Sequence, residues 1–269
     1  MAIEVLNYPL SPCGEKVRFA LAEKGLPFKD HHVDLGSKEN LRADFLRLNP
    51  KGLVPVLLDG EIVVSDSTVI LEYIEDRWPE TPLRPDAPVE RARMRRWTKH
   101  VDEILHPAWP GIAWPILVRP KWLAKTPREV EAMLAALLDD KRRERQRRLF
   151  ELGLDSPEFQ GSMATFVNTC AEMEAELLRF PWLAGDSYSL ADIALLPYFV
   201  AMEAFGLEQS FGGFEKVRNW YGAACGRRCF GGHPRNMLPA SRLQEIRDLN
   251  LTRRLAETTE ERAPSTARA

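Results

Sequence analysis

"LVPVLLDGEIVVSDSTVILEYIEDRWP", residues 53–79, carries two periodicities and a change between them. Aliphatic and β-branched residues run on both sides of Asp59-Gly60, the pattern of two antiparallel strands joined by a type I′ turn. From Ser65 the spacing becomes helical: Val69, Ile70, Tyr73 and Ile74 fall on one face. Ser65, Asp66 and Ser67 supply side chains suited to a helix start. A hairpin followed at once by an amphipathic helix is half of a small α/β layer, so its partner strands are expected upstream.

They are legible there. "AIEVLNY", residues 2–8, reads as a strand with Ile3, Val5 and Asn7 on one face. "SPCGEKVRFALAEKG", residues 11–25, reads as a helix with Ser11 as N-cap, Pro12 at the first helical position and Gly25 as left-handed closure. Gly14 stands where a capping box needs an acid, so Ser11 caps without a reciprocal partner. "PFKDHHVDL" is a second strand and "KENLRADFLRLNP" a polar helix. The order over 1–78 is βαβαββα, in which the first half needs a crossover between parallel strands and the second is an antiparallel hairpin. "WPETPLRPDAP", residues 78–88, is a proline-rich linker. Residues 89–250 read as helices throughout, beginning with a stripe of Trp97, Val101, Ile104 and Leu105. "HPAWPGIAWP" is expected to kink or end that first helix. The polar tail, 251–269, is expected to be disordered.

Composition narrows the function. With 45% hydrophobic and 28% charged residues, the chain is that of an ordinary globular protein. A net charge of −2 gives no whole-chain attraction for nucleic acid or an anionic membrane. No apolar run approaches the roughly 20 residues of a membrane span. "MAIEVLNYPL" lacks the layout of a signal peptide, so a cytoplasmic location is expected. The four cysteines (Cys13, Cys170, Cys225, Cys229) are then expected to be reduced thiols.

Four segments, in order, carry a resemblance: "SPCGEKVRFALAEKGLPF", "LNPKGLVPVL", "SDSTVILEYIEDRWPETPLRP" and "DSYSLADIALLPY" at 186–198. Together they resemble the cytosolic glutathione transferases, serine-type and similar to zeta-, tau- and omega-like members and the bacterial relatives of the glutathione-dependent β-etherases. The resemblance implies a thioredoxin-like glutathione-binding domain over 1–78, a linker at 79–88 and an all-α substrate domain over 89–250. It also implies glutathione as co-substrate, a hydrophobic small-molecule electrophile, no metal and a homodimer.

The same resemblance assigns residues. Ser11 matches the position that meets the glutathione sulfur. Val54 is the residue whose backbone pairs with the cysteinyl part, ahead of a cis Pro55. Asp66 takes the ammonium, and Ser67 with the backbone N–H groups beside it takes the γ-glutamyl carboxylate, at the partially positive end of a helix. Several classes place Gln or Lys where this chain has Leu53, so Lys51, and also Lys38, are candidates for the glycyl carboxylate. Tyr8 and Cys13 compete with Ser11 for the sulfur and rank behind it; together with Trp109 and Trp114 they are the candidates for an apolar electrophile site. A chain with the same fold that forms mixed disulfides at Cys13, or that binds without catalysis, is the alternative.

The chemistry limits what Ser11 does alone. At pH 7 a thiol of pKa ~8.5 is about 3% ionised, and lowering that pKa by ~2 units makes roughly three quarters of it thiolate. Lower basicity returns about eightfold of that roughly 24-fold gain, leaving on the order of threefold. Holding the thiolate against a bound electrophile must therefore supply most of the rate.

Other signals are weaker. "DDKRRERQRRL", residues 139–149, is basic but interleaved with acids and reads as a solvated helix or loop rather than a nucleic-acid site. "CGRRCFGGH" offers Cys225, Cys229 and His233 with no evident fourth ligand for zinc. "YSLADIALLPY" contains an acidic capping box, Ser189 with Asp192, and is assigned to stability.

Overall fold

The computed structural model describes residues 2–9, 11–137, 139–231, 244 and 246. The tail at 251–269, the end of the helical segment and His233 lie outside the described residues. The N-terminal elements are β1 (Ile3–Asn7), α1 (Pro12–Glu23), β2 (Phe28–His32), a 3₁₀ turn (Glu39–Leu41), α2 (Ala43–Leu48), β3 (Val56–Asp59), β4 (Ile62–Ser65) and α3 (Ser67–Arg77). The strands form one mixed sheet in the order β2-β1-β3-β4, with β1 parallel to β2 and antiparallel to β3.

Alternation along the strands assigns the two faces. Asn7 lies against Gly14 of α1, and the Asp59 carboxylate accepts a hydrogen bond from Tyr73 of α3 at 2.9 Å. That face, which also carries Val5 and Leu57, is covered by α1 and α3, whose Val17, Leu21, Ile70, Leu71 and Ile74 are fully buried. The other face carries Leu6, Val56 and Leu58, which pack with Val33 and Phe45 to hold α2.

Two local expectations change. The hairpin loop is Gly60-Glu61 rather than Asp59-Gly60, because Asp59 pairs with Ile62 in the ladder. Only Gly60 (φ 63°) has positive φ, the pattern of a type II′ turn, which needs glycine at its first central position. The helix expected over 38–50 is broken at Arg42, which is extended (φ −73°, ψ 152°). Asn40 donates to the Gly52 carbonyl at 2.6 Å, a tertiary bond that pulls the first turn away from the second.

Twelve-residue helix α1 closes as expected. Gly25 has φ 71°, its N–H bonds to Ala22 and that of Leu26 reaches back to Leu21, a Schellman closure. Next to it, Lys24 Nζ is buried and meets Glu75 Oε2 at 2.7 Å and the Trp78 and Thr81 carbonyls at 2.8 and 2.7 Å. Glu75 in turn accepts the Leu83 N–H at 3.0 Å. The proline-rich connection is thereby pinned, with Leu83 buried and its carbonyl accepting from Leu190 N–H.

The later helices are α4 (Pro88–His100), a π-helical turn (Val101–Leu105), α5 (His106–Leu117), α6 (Arg119–Leu123), α7 (Pro127–Ala135), α8 (Asp140–Leu152), a 3₁₀ turn (Gly153–Asp155) and α9 (Pro157–Leu177). They are followed by α10 (Leu190–Ala204), α11 (Gln209–Gly212), α12 (Glu215–Cys225) and α13 (Arg228–Gly231). The chain divides into two compact units, one up to Lys99 together with residues from Ala175, the other His100–Glu174. In the first, α10 packs on α1 and is buried on almost every side, as expected of a helix apolar all round.

In the second unit the prolines of "HPAWPGIAWP" do not end the helical run. Pro107 follows directly on the π turn, and Pro110 and Pro115 lie inside α5, so each removes a backbone donor from a continuous helical run. The π turn precedes them, with His106 N–H bonded to the Val101 carbonyl. Burial of Trp109, Ile112 and Ile116 holds the segment helical against the lost bonds. Gly111 is required for close approach: a Cβ there would stand 2.1 Å from Ser162 Oγ. The basic helix α8 is indeed laced with ion pairs, Arg147–Glu131 at 2.6 Å and Arg143–Asp140 at 2.9 Å among them. Among the described residues no helix is long and apolar enough to cross a membrane.

Candidate functional site

The sheet register gathers three of the sequence motifs. Leu6 pairs with Val56, and Val56 pairs with Ser65. Continuing past that row, β1 leads to Tyr8 and Ser11, β3 is entered from Val54 and Pro55, and β4 exits into Asp66 and Ser67. All three segments therefore meet at one end of the sheet.

Ser11 is half-buried at the N-cap of α1 (φ −88°, ψ 111°), and its Oγ accepts one long hydrogen bond from Gly14 N–H, 3.4 Å. Gly14 has no side chain to reciprocate. It also makes room for Asn7: a Cβ at position 14 would lie 1.7 Å from Asn7 Oδ1. Asn7 is 1% exposed, and neither polar atom of its carboxamide has a hydrogen-bond partner among the described residues. Cys13 is half-buried and in no disulfide, and the same holds for the other three cysteines as regards disulfides. Tyr8 meets His32 edge-on, ring centroids 5.9 Å apart.

The Val54–Pro55 peptide is cis, with Pro55 buried and Val54 half-buried. The approach to it is shaped by Asn49, which donates to the Leu53 carbonyl at 2.7 Å and accepts from Lys51 N–H at 3.1 Å. Lys51 and Lys38 are both exposed.

Asp66 is exposed and has φ 77°, a conformation that costs an L-residue on the order of 1–3 kcal/mol and that recurs at functional sites. Its carboxylate caps α3, accepting the N–H groups of Thr68 and Val69 at 3.1 and 3.4 Å. Ser67 is buried, and its Oγ accepts from Lys16 Nζ at 3.5 Å.

Lys16 was not among the residues singled out from sequence, although it bears directly on this end of the sheet. It is fully buried, with its ammonium 5.9 Å from the Tyr198 ring. A signal existed: Lys16 falls on the i, i+3, i+4 stripe with Phe19 and Ala20, a buried face where a cation needs a reason. Glu15, in the first turn of α1, has its carboxyl pushed up to about 7 by burial, against the pull of Arg18 at 3.0 Å. Two helix N-termini and a buried ammonium at one end of a sheet make an electropositive setting for an anion or a thiolate.

The tryptophans stand apart in the chain's other compact unit. Trp109 is buried on α5, and Trp114 is half-buried and edge-on to Trp122 at 5.3 Å. Among the described residues no group of three His, Cys, Asp or Glu side chains is arranged to hold a metal.

Residues 10–77 match the profile "Glutathione S-transferase, N-terminal domain", and residues 120–223 match "Glutathione S-transferase, C-terminal domain". The chain belongs to the glutathione S-transferase family. Among its relatives, Protein LigF of Sphingobium sp. is 33% identical over 64% of this chain and 68% of that protein. FtsZ-localized protein A of Caulobacter vibrioides is 30% identical over 83% of this chain and 87% of that protein. Other matches are partial: glutathione S-transferase 1 of Dianthus caryophyllus is 46% identical, but over only 34% of this chain and 41% of its own length. The crystal structure of the β-etherase LigF superposes with a TM-score of 0.73 at 27% identity, covering 86% of this chain and 98% of that one.

Proposed function

We propose that this chain activates glutathione through Ser11 and directs its sulfur onto an apolar or aromatic electrophile. The observation that carries the reading is the N-cap of α1. Its serine accepts a single long hydrogen bond, has no reciprocal acid, and sits at the sheet end that also holds the cis Val54–Pro55 bond and the strained Asp66. In this reading the Ser11 hydroxyl donates to the thiolate, and the α1 N-terminus adds its partial positive charge. The Val54 backbone pairs with the cysteinyl unit. The γ-glutamyl carboxylate lies on the α3 N-terminus and Ser67, with the Lys16 ammonium behind it, and Asp66 faces the ammonium of the ligand. Lys51 serves the glycyl carboxylate.

The reaction is a displacement. The thiolate sulfur attacks carbon, a C–S bond forms, and the leaving group departs with the bonding pair as halide or, from an aryl ether, as phenolate. Similarity to LigF, called a β-etherase, supports including ether cleavage. Trp109 and Trp114 are the proposed apolar wall for the electrophile, with Tyr8 and Cys13 beside the sulfur. A glutathione-binding domain over 1–78, a helical substrate domain over 89–250, a homodimeric assembly and a cytoplasmic location complete the proposal.

The test is Ser11→Ala assayed with an aryl halide and, separately, an aryl ether. Turnover should fall by roughly 10²-fold, as for loss of one donor to a developing or resting anion, while glutathione affinity changes little. Undiminished turnover removes Ser11 from the mechanism. Glutathione binding by the unsubstituted chain with no turnover of either substrate favours the binding-protein alternative, and a mixed disulfide at Cys13 after treatment with oxidised glutathione favours the oxidoreductase.

A further inference from the structure

Between α4 and the end of α9 lies an open surface depression of about 390 Å³ lined by Val89, Ala92, Arg93, Arg96, Glu176 and Arg179. All six residues belong to the same compact unit, and none is part of the glutathione site proposed above. The volume is within the range of small-molecule sites, roughly 300–1,000 Å³.

Its charge is unusual for this chain. Three guanidinium groups face one carboxylate, a local excess of two positive charges on a protein whose net charge is −2. Glu176 is 9% exposed and divides its single charge between two arginines, pairing Arg96 through Oε2 and Arg93 Nε through Oε1 at 3.1 Å. Arg93 is held further by the Ala184 carbonyl, 2.8 Å from Nη1, and by the Phe180 ring, 4.2 Å from its Cζ. Arg179 lies over the same ring at 5.2 Å and, among the described residues, its guanidinium has no carboxylate or carbonyl partner. Arg96 and Arg179 are exposed, and so are Val89 and Ala92 beside them.

Like charges are not gathered this closely without cost. One buried carboxylate neutralises only part of the cluster, and the Phe180 ring with the Ala184 carbonyl holds Arg93 in place. The exposed guanidiniums of Arg96 and Arg179 present their planar forks to an oxyanion arriving from solvent. Charge-assisted forked bonds are the strongest that such a ligand can accept. The two uncompensated charges match a dianion, and the exposed Val89 and Ala92 offer a place for carbon.

We propose that this depression binds a small organic dianion, such as a phosphate monoester or a dicarboxylate, with its charged end on Arg96 and Arg179 and its apolar arm over Val89 and Ala92. The site is independent of glutathione turnover. Calorimetric titration of the full chain with phenyl phosphate tests it, with inorganic phosphate, phenylmalonate and benzyl alcohol as comparison probes. Phenyl phosphate and phenylmalonate should bind saturably at one site, inorganic phosphate more weakly, and benzyl alcohol not at all. Arg179→Gln, a change at an exposed position, should weaken phenyl phosphate roughly tenfold, the loss expected for one charge-assisted bond. Saturating glutathione should leave the titration unchanged. The proposal is overturned if no dianion saturates, if Arg179→Gln binds phenyl phosphate as tightly as the unsubstituted chain, or if glutathione displaces it.

Discussion

Helices α10 and α1 both begin at a serine, and the two serines are used in opposite ways. At α10, Ser189 and Asp192 are fully buried. Ser189 Oγ accepts from Ala191 N–H at 3.3 Å, while its own N–H and hydroxyl donate to Asp192 Oδ2 at 2.9 and 3.1 Å. The second carboxylate oxygen takes Leu183 N–H at 3.1 Å and the Trp220 indole N–H at 2.8 Å. Every donor is spoken for. At α1, Ser11 is half-buried, has one bond of 3.4 Å and faces a glycine where Asp192 stands in the other helix. A complete capping box closes a helix end, whereas an incomplete one leaves a hydroxyl and N–H groups for a ligand.

The sharpest way to break this contrast is Asp192→Ala. It strands several buried donors at once, each costing about 1–3 kcal/mol, so a loss on the order of 4 kcal/mol is expected. Thermal unfolding should move down by roughly 10 °C for a chain of this size. A change of a degree or two would show that the α10 cap is not the stabilising one.

Next in size is a pH effect that separates the two helices by their acids. Burial raises Asp192 from 3.8 to about 6 and Glu15 from 4.5 to about 7. In both cases the folded chain keeps a proton that the unfolded chain has released. Their contribution to stability is therefore complete below the unfolded values and is lost as pH rises through the folded ones. Glu15→Gln removes that loss for α1 alone. Between pH 4.5 and 8, denaturant titrations should show the variant gaining roughly 2–3 kcal/mol relative to the unsubstituted chain, at about 1.4 kcal/mol per pKa unit. A difference that stays flat with pH would mean that Glu15 is ionised throughout, as Arg18 alone would dictate.

The same contrast shows what could be read from sequence. Caps, the hairpin and the βαβαββα order are written in short stretches, and strand register then brings Ser11, Val54, Pro55, Asp66 and Ser67 to one end of the sheet. The sequence marks Lys16 as a cation on an apolar stripe, but not that it reaches this end, because its partners Ser67 and Tyr198 lie far off in the chain. The break at Arg42 is likewise tertiary, set by Asn40 reaching Gly52. The prolines of α5 misled for the opposite reason: a strong local breaker was overridden by burial of Trp109, Ile112 and Ile116. The arginine-lined depression joins residues 89–96 to residues 176–179, and no local motif announces such a pairing.

The smallest effect is the most discriminating for Ser11 itself. Thr126 caps α7 with a complete box on an exposed surface, Glu129 Oε2 accepting from Thr126 N–H at 2.8 Å and from its hydroxyl at 2.7 Å. Thr126→Ala should cost about 1 kcal/mol, the usual worth of such a cap. Ser11→Ala should cost less than that, because the bond it removes is long and no partner is left stranded. The ranking of the two alanine variants by denaturant midpoint checks this. If Ser11→Ala is the more damaging, its hydroxyl is already engaged in holding α1 together, and an oxygen so engaged is not one held in reserve for a sulfur.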